Sequence, residues 1–153
     1  MDSLIPIIIV DDEVVVRETL CASLEGLNYE VRSCADGNEA LAYMEQRAAH
    51  VVITDIMMPE MNGFELLRHI HKKYPQTVVV AITGFGTVED AVRAMKEGAF
   101  DYVTKPFTID QVRLVVARAA RHYRLQADKE QLETQLRRSE ELAFVGRLAA
   151  QVA

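Results

Sequence analysis

The chain is constrained most by an alternation: short β-branched runs recur five times, separated by helical patterns of about ten to fifteen residues. The runs are Ile7 to Val10, Tyr29 to Ser33, Val51 to Thr54, Thr77 to Ile82 and Asp101 to Thr104. Such alternation builds right-handed βαβ units around a parallel sheet. The first, third and fourth runs are almost wholly apolar, as strands covered on both faces should be. Helices are expected near Glu13 to Glu25, Gly37 to Arg47, Gly63 to Lys73 and Val88 to Glu97, each with apolar residues at three-and-four spacing; Val92, Met95 and Ala99 illustrate it. Gly26, Pro75 and Gly98 fall just beyond these patterns, where glycine tolerates left-handed geometry and proline cannot continue a helix. The expected fold is α/β, a doubly wound five-stranded parallel sheet with strand order 2-1-3-4-5.

The last helix starts at a capping box, Thr108-Ile109-Asp110-Gln111, and meets no Gly or Pro until Gly146. Helical from 108 to 150, it would extend about 64 Å, more than one layer of a domain this size. Val112, Val115, Val116 and Ala119 suit packing on the sheet, whereas Leu125, Leu132, Leu136, Leu142, Val145 and Ala149 form a second stripe that needs a partner. A parallel two-stranded coil between two copies is the economical solution, and a solvated tail is the bland alternative. The heptads are imperfect, with Ser139 at an otherwise apolar position. We therefore expect one domain over residues 1–122 and an extended helix over 123–153, a coiled-coil linker to an output module.

At 153 residues with 50% hydrophobic content, the chain is one ordinary domain in length, without an apolar stretch that could span a bilayer. The opening Met1-Asp2-Ser3 lacks a secretory signal, so a cytoplasmic location is expected. Cys21 and Cys34 match no zinc or redox spacing and read as reduced packing residues. A formal net charge of -6 argues against a phosphate-tracking surface, so no direct nucleic-acid contact is expected.

Open parallel sheets place their chemistry at the carboxyl ends of the strands. Asp11 and Asp12 end the first run and Asp55 ends the third, so the expected strand order brings the three carboxylates around one crevice. Carboxylates that close remain ionised only beside a compensating cation, and hard oxygen ligands favour Mg²⁺. Lys105 would add an ammonium and Thr83 a hydroxyl, a set suited to a phosphoryl group, with Asp55 as candidate nucleophile forming an acyl phosphate. Taken singly, Asp55 reads equally as a turn residue, Thr83 as a strand end and Lys105 as a solvated loop residue. Their joint spacing argues for chemistry. His50, His69, His71 and His122 lie away from the strand ends and suit packing or surface roles, and Met57, Met58 and Met61 suit packing or partner contacts.

Over residues 5 to about 122 the chain resembles the receiver domain of two-component response regulators, which has a flavodoxin-like fold. The resemblance is carried by Val10-Asp11-Asp12-Glu13, by Asp55-Ile56-Met57-Met58-Pro59-Glu60-Met61-Asn62-Gly63, by Thr83-Gly84, and by Gly98 through Phe107, and it is strongest toward nitrogen-regulation-type receivers. It implies that Asp55 accepts a phosphoryl group from a histidine kinase or phosphotransfer protein. It further implies that Asp12 and Asp55 bind Mg²⁺ with the Met57 backbone carbonyl, Asp11 acting largely through water. Thr83 would hydrogen-bond the phosphoryl oxygen, Lys105 would ion-pair with it, Tyr102 would rotate inward, and the bond before Pro106 would be cis. Met57 and Phe85, two residues beyond Asp55 and Thr83, are both apolar, which should hinder a hydrolytic water.

The segment from Ser139 to Ala153 resembles the stretch preceding the phospho-accepting histidine of kinase dimerisation helices. The leading expectation is thus a receiver at the head of a hybrid histidine kinase. One alternative is the receiver of a transcriptional regulator with an ATPase or DNA-binding output. A third is a Mg²⁺-dependent aspartyl phosphatase, which would want a second acid at the position of Met57.

Overall fold

Val51–Asp55 is buried at every residue, and so is Val78–Thr83, because both strands lie inside a sheet covered on two faces. The computed structural model of the protein describes residues 3–84 and 88–152. Within them, strands and helices alternate as β1 (Ile5–Val10), α1 (Val14–Leu24), β2 (Tyr29–Cys34), α2 (Gly37–Gln46), β3 (Val51–Asp55), α3 (Gly63–Lys73), β4 (Val78–Thr83), α4 (Val88–Lys96), β5 (Asp101–Thr104) and α5 (Ile109–Val152). The sheet is parallel throughout, in the order β2-β1-β3-β4-β5, as the sequence predicts.

Successive strand residues point to opposite faces, and this alternation sorts the core into two halves. Ile8, Val10, Val52, Val79 and Ala81 pack with Met44 of α2, Leu66, Leu67 and Ile70 of α3, and Ala94 of α4. Ile7, Ile9, Val51, Ile53 and Val80 pack with Leu20 and Leu24 of α1 and Val112, Val116 and Ala119 of α5. Each fully buried leucine or isoleucine contributes about 1.5–3 kcal/mol through area removed from water.

Helix α4 turns its smallest apolar residues inward. Val92 and Met95 are 46% and 43% exposed, and the inward positions belong to Ala91 and Ala94. The capping box of α5 forms as expected: the Thr108 N–H donates to Gln111 Oε1 at 2.9 Å and the Gln111 N–H to Thr108 Oγ1 at 3.1 Å.

The chain divides into two compact units, one ending at Tyr123 and one starting at Arg124. In the first, Arg113 Nε donates to the Ser23 carbonyl at 2.7 Å, tying α5 to the last turn of α1, and His50 stacks on Tyr123 at 3.8 Å. The second unit is helical, and its Leu125, Leu132, Leu136, Leu142, Val145 and Leu148 are exposed in the single chain. Among the described residues no helix is long and apolar enough to cross a membrane.

Gly63 opens α3 against the end of β3. A Cβ there would collide with the Asp55 carbonyl oxygen and come within 2.6 Å of Ile56 Cα, both backbone atoms that cannot swing aside. Gly63→Ala should therefore lower unfolding free energy by about 1–3 kcal/mol through overpacking. Urea denaturation of the two proteins measures it, and an unchanged midpoint would show that the loop yields freely.

Candidate functional site

Each strand that carries a candidate residue delivers it to the same edge of the sheet. Asp11 follows β1, Asp55 is the last residue of β3, Thr83 the last of β4, and Lys105 follows β5. Asp55 pairs in register with Ile82, and Thr83 with Thr104, so the four carboxyl ends lie side by side. The Lys105 N–H donates to the Thr83 carbonyl at 2.8 Å, fixing the loop from which its side chain departs. The Lys105-Pro106 bond is cis.

Lys105 Nζ donates to Asp55 Oδ2 at 3.0 Å and makes an ion pair with Asp11 Oδ2 at 3.4 Å. The other oxygen of Asp55 accepts from the Met57 N–H at 3.0 Å. Asp55 is thus held at both oxygens, by an ammonium and by the following loop. Asp11 is fully buried; its Oδ1 accepts from the Glu13 N–H at 2.9 Å, while Oδ2 has no hydrogen-bond partner among the described residues. Asp12 is exposed at the rim. One oxygen from each of Asp11, Asp12 and Asp55 lies within 4.8 Å of the others.

The electrostatics follow from burial and proximity. Burial pushes the Asp11 carboxyl up to about 6, the Glu13 N–H opposes this, the Asp55 charge adds to it, and Lys105 opposes it in turn. Burial alone would lower the Lys105 ammonium, but the hydrogen bond and charge of Asp55, with Asp11 behind it, hold it above the ordinary lysine value. Thr83 is 1% exposed and its Oγ1 has no hydrogen-bond partner among the described residues. A buried hydroxyl left unpaired costs about 1–3 kcal/mol, so it marks a place where an acceptor is wanted.

The remaining candidates are placed as follows. Tyr102 lies on β5 and is 42% exposed. Met57 is 69% exposed, whereas Met58 packs in the core with Ile56 and Phe64. Phe85 lies outside the described residues. Cys21 and Cys34 are free thiols. None of the four histidines belongs to the acidic group.

One contact escapes a reading of the sequence. Arg17, in the first turns of α1, donates through Nη1 to the Asp11 backbone carbonyl at 2.6 Å. The available signal is its position, six residues after Asp11, where a helix beginning at Val14 has turned back over the loop.

An all-parallel sheet with an acidic crevice, a lysine and a buried threonine at its carboxyl edge defines the class of signalling receivers. The family described as the response regulator receiver domain matches residues 7–117, and the chain belongs to that family. It is 36% identical over 125 residues to the DNA-binding transcriptional regulator NtrC of Salmonella typhimurium, covering 82% of this chain and 27% of that protein. It is 35% identical over 136 residues to the putative response regulator NtrX-like of Rickettsia bellii, covering 88% and 28%. With the response regulator protein PilR of Pseudomonas aeruginosa it shares 33% over 129 residues, covering 84% and 29%. The receiver domain of NtrX from Brucella abortus superimposes with a TM-score of 0.73 at 38% identity, over 75% of this chain and 98% of that one. A longer NtrX structure from the same organism, in complex with ADP, gives 0.81 at 36%, over 84% and 30%.

This chain therefore spans 27–29% of the length of these three relatives. They favour the transcriptional-regulator alternative over the kinase-linked reading drawn from the tail, since that tail's alanine-rich pattern is common to many helices. Receiver domains bind Mg²⁺ at an acidic pocket, and the three aspartates here supply the hard oxygen donors it requires, one of them a buried oxygen with no hydrogen bond.

The raised Asp11 value has a consequence for the metal-free protein. In the folded state Asp11 holds its proton up to about pH 6, against an ordinary value of 3.8, so the fold binds more protons than the unfolded chain between those limits. Its stability contribution is complete below about pH 4 and is lost as pH rises through 6. Asp11→Asn removes the ionisation and should stabilise the EDTA-treated protein by about 1–3 kcal/mol above pH 7, with the difference shrinking toward pH 4. Thermal melts across that range check both the sign and the window.

Proposed function

We propose that this chain is a phosphoryl-accepting receiver, with Asp55 as acceptor, Lys105 and Thr83 as the groups that bind the transferred phosphoryl oxygens, and Tyr102 as an aromatic that turns inward afterwards. The reading is supported above all by the contact between Asp55 Oδ2 and Lys105 Nζ at 3.0 Å, made across 50 positions of sequence at the edge where the other candidates gather. Asp11, Asp12, Asp55 and the Met57 backbone carbonyl are the ligands we assign to Mg²⁺. When bound, the ion neutralises carboxylate charge and polarises phosphoryl oxygens.

In the reaction we assign, a carboxylate oxygen of Asp55 forms a bond to phosphorus as the bond from phosphorus to the donor's imidazole nitrogen breaks. That nitrogen keeps the electron pair. Lys105 carries the positive charge that the new phosphoryl oxygens need, and it does so without a proton leaving Nζ. The hydroxyl of Thr83 donates to one of those oxygens, which ends its isolation. The donor is a phosphohistidine on a histidine kinase or phosphotransfer protein; response regulator receivers accept phosphate from histidine kinases.

The likeness to the DNA-binding transcriptional regulator NtrC supports an output of that kind, with residues 1–122 as the receiver and 123–153 as the helical connection to it. The apolar Met57 side chain, attached beside the acceptor, would hinder water and prolong the modified state.

Incubation with acetyl phosphate and Mg²⁺ should label the wild type stably and leave Asp55→Asn unlabelled on a phosphate-affinity gel, with faster loss of label from Met57→Asn. Label persisting in Asp55→Asn would discard the assignment. Continuous hydrolysis of phosphate esters without stable label would favour the aspartyl phosphatase instead.

The exposed leucines of the second unit support a homodimer through that helix. Burying one such side chain is worth about 1.5–3 kcal/mol, so charges at its centre should be decisive. Sedimentation velocity should find a dimer for the wild type and a monomer for Leu132→Asp/Leu136→Asp, with the fold of the first unit intact by circular dichroism.

A further inference from the structure

We propose that Arg17 is a positioning residue for the acidic loop: by holding the Asp11 backbone carbonyl it fixes both carboxylates of Asp11 and Asp12 for a divalent cation. The inference rests on the Mg²⁺ reading above and goes beyond it, because Arg17 touches neither the cation nor the phosphoryl group.

The contacts close a ring. The Glu13 N–H donates to Asp11 Oδ1 at 2.9 Å, the Arg17 N–H donates to the Glu13 carbonyl at 3.1 Å, and Arg17 Nη1 returns to the Asp11 carbonyl at 2.6 Å. On its other side, the Asp11 N–H donates to the Cys34 carbonyl at 3.1 Å. Every polar backbone atom of Asp11 is therefore engaged, and of its carboxylate only Oδ2 lacks a hydrogen bond. Helix α1 has no side-chain cap at Glu13 and no acidic residue in its first turn. Its start is held instead by the backbone bonds of this ring and by Arg17.

Where the guanidinium binds is informative. Beside three carboxylates, an arginine would ordinarily form a bidentate ion pair. Arg17 bonds a carbonyl instead, so no carboxylate of the cluster has its lone pairs committed to it. Its charge still lies close to the crevice and opposes a cation. The two effects have opposite signs: if charge dominated, removing Arg17 would tighten Mg²⁺ binding, whereas loss of positioning would weaken it. Groups in this outer layer usually change metal affinity by about 10–100-fold.

Isothermal titration of the full chain with MgCl2 tests the inference. Arg17→Ala should bind Mg²⁺ about 10-fold more weakly. Arg17→Lys, which keeps a charged donor on a flexible stem, should recover most of that loss. Labelling by acetyl phosphate should show a raised half-saturating Mg²⁺ concentration with an unchanged maximal rate. Unchanged or tighter Mg²⁺ binding in Arg17→Ala overturns the proposal, as does a fall in maximal rate at unchanged half-saturation. If Arg17→Ala does not fold, Arg17→Gln carries the same comparison, since its shorter side chain falls short of the carbonyl. A wild type that does not bind Mg²⁺ would instead sink the metal reading itself.

Discussion

Repulsion among carboxylates held at one sheet edge governs the rest of this molecule. Parallel strands deliver Asp11 and Asp55 to adjacent positions whether or not their charges agree, because register is set by the apolar faces beneath them. Lys105 answers part of the excess by reaching both carboxylates at once. One ammonium cannot balance three ionised carboxylates, and burial makes the imbalance more costly for Asp11 than for exposed Asp12. The crevice therefore carries an excess of negative charge that a cation would offset.

The same economy applies to hydrogen bonds. Asp55 is engaged at both oxygens, one on Lys105 and the other on the Met57 N–H, so its carboxylate is held in one orientation. Thr83 is the converse, a buried hydroxyl with no partner among the described residues. A phosphoryl oxygen added to Asp55 would supply what Thr83 lacks. Modification would then relieve a cost already present, which is how one covalent event biases a two-state element.

How much of this was legible in the sequence depended on how local the cause was. Strand order, helix positions and the assembly of Asp11, Asp55, Thr83 and Lys105 at one edge follow from apolar periodicity and the chemistry of parallel sheets, and both are written in short windows. The facing of helix α4 is not legible there: Val92 and Met95 satisfy the three-and-four rule, but so do Ala91 and Ala94, and it is the second pair that is buried. Arg17 was not visible because its partner is a backbone carbonyl, which has no letter in the sequence. The close approach of Gly63 to the end of β3 was hidden for the same reason.

The second unit poses a separate physical question. Its helix carries a line of exposed leucines and valines with charged residues between them, and Gly146 is placed among them. A solitary helix is marginal in water, since its hydrogen bonds gain little over those to solvent and its order must be maintained by burial. Among the described residues of the unit, nothing buries that stripe. An apolar surface supplied from elsewhere would steady the helix, and a second copy of the same stripe would be one such surface. Such pairing would make the helix stable in proportion to how well two copies align. Two copies paired in this way would be held only weakly by their imperfect heptads, so that a modest change in either receiver would alter their pairing.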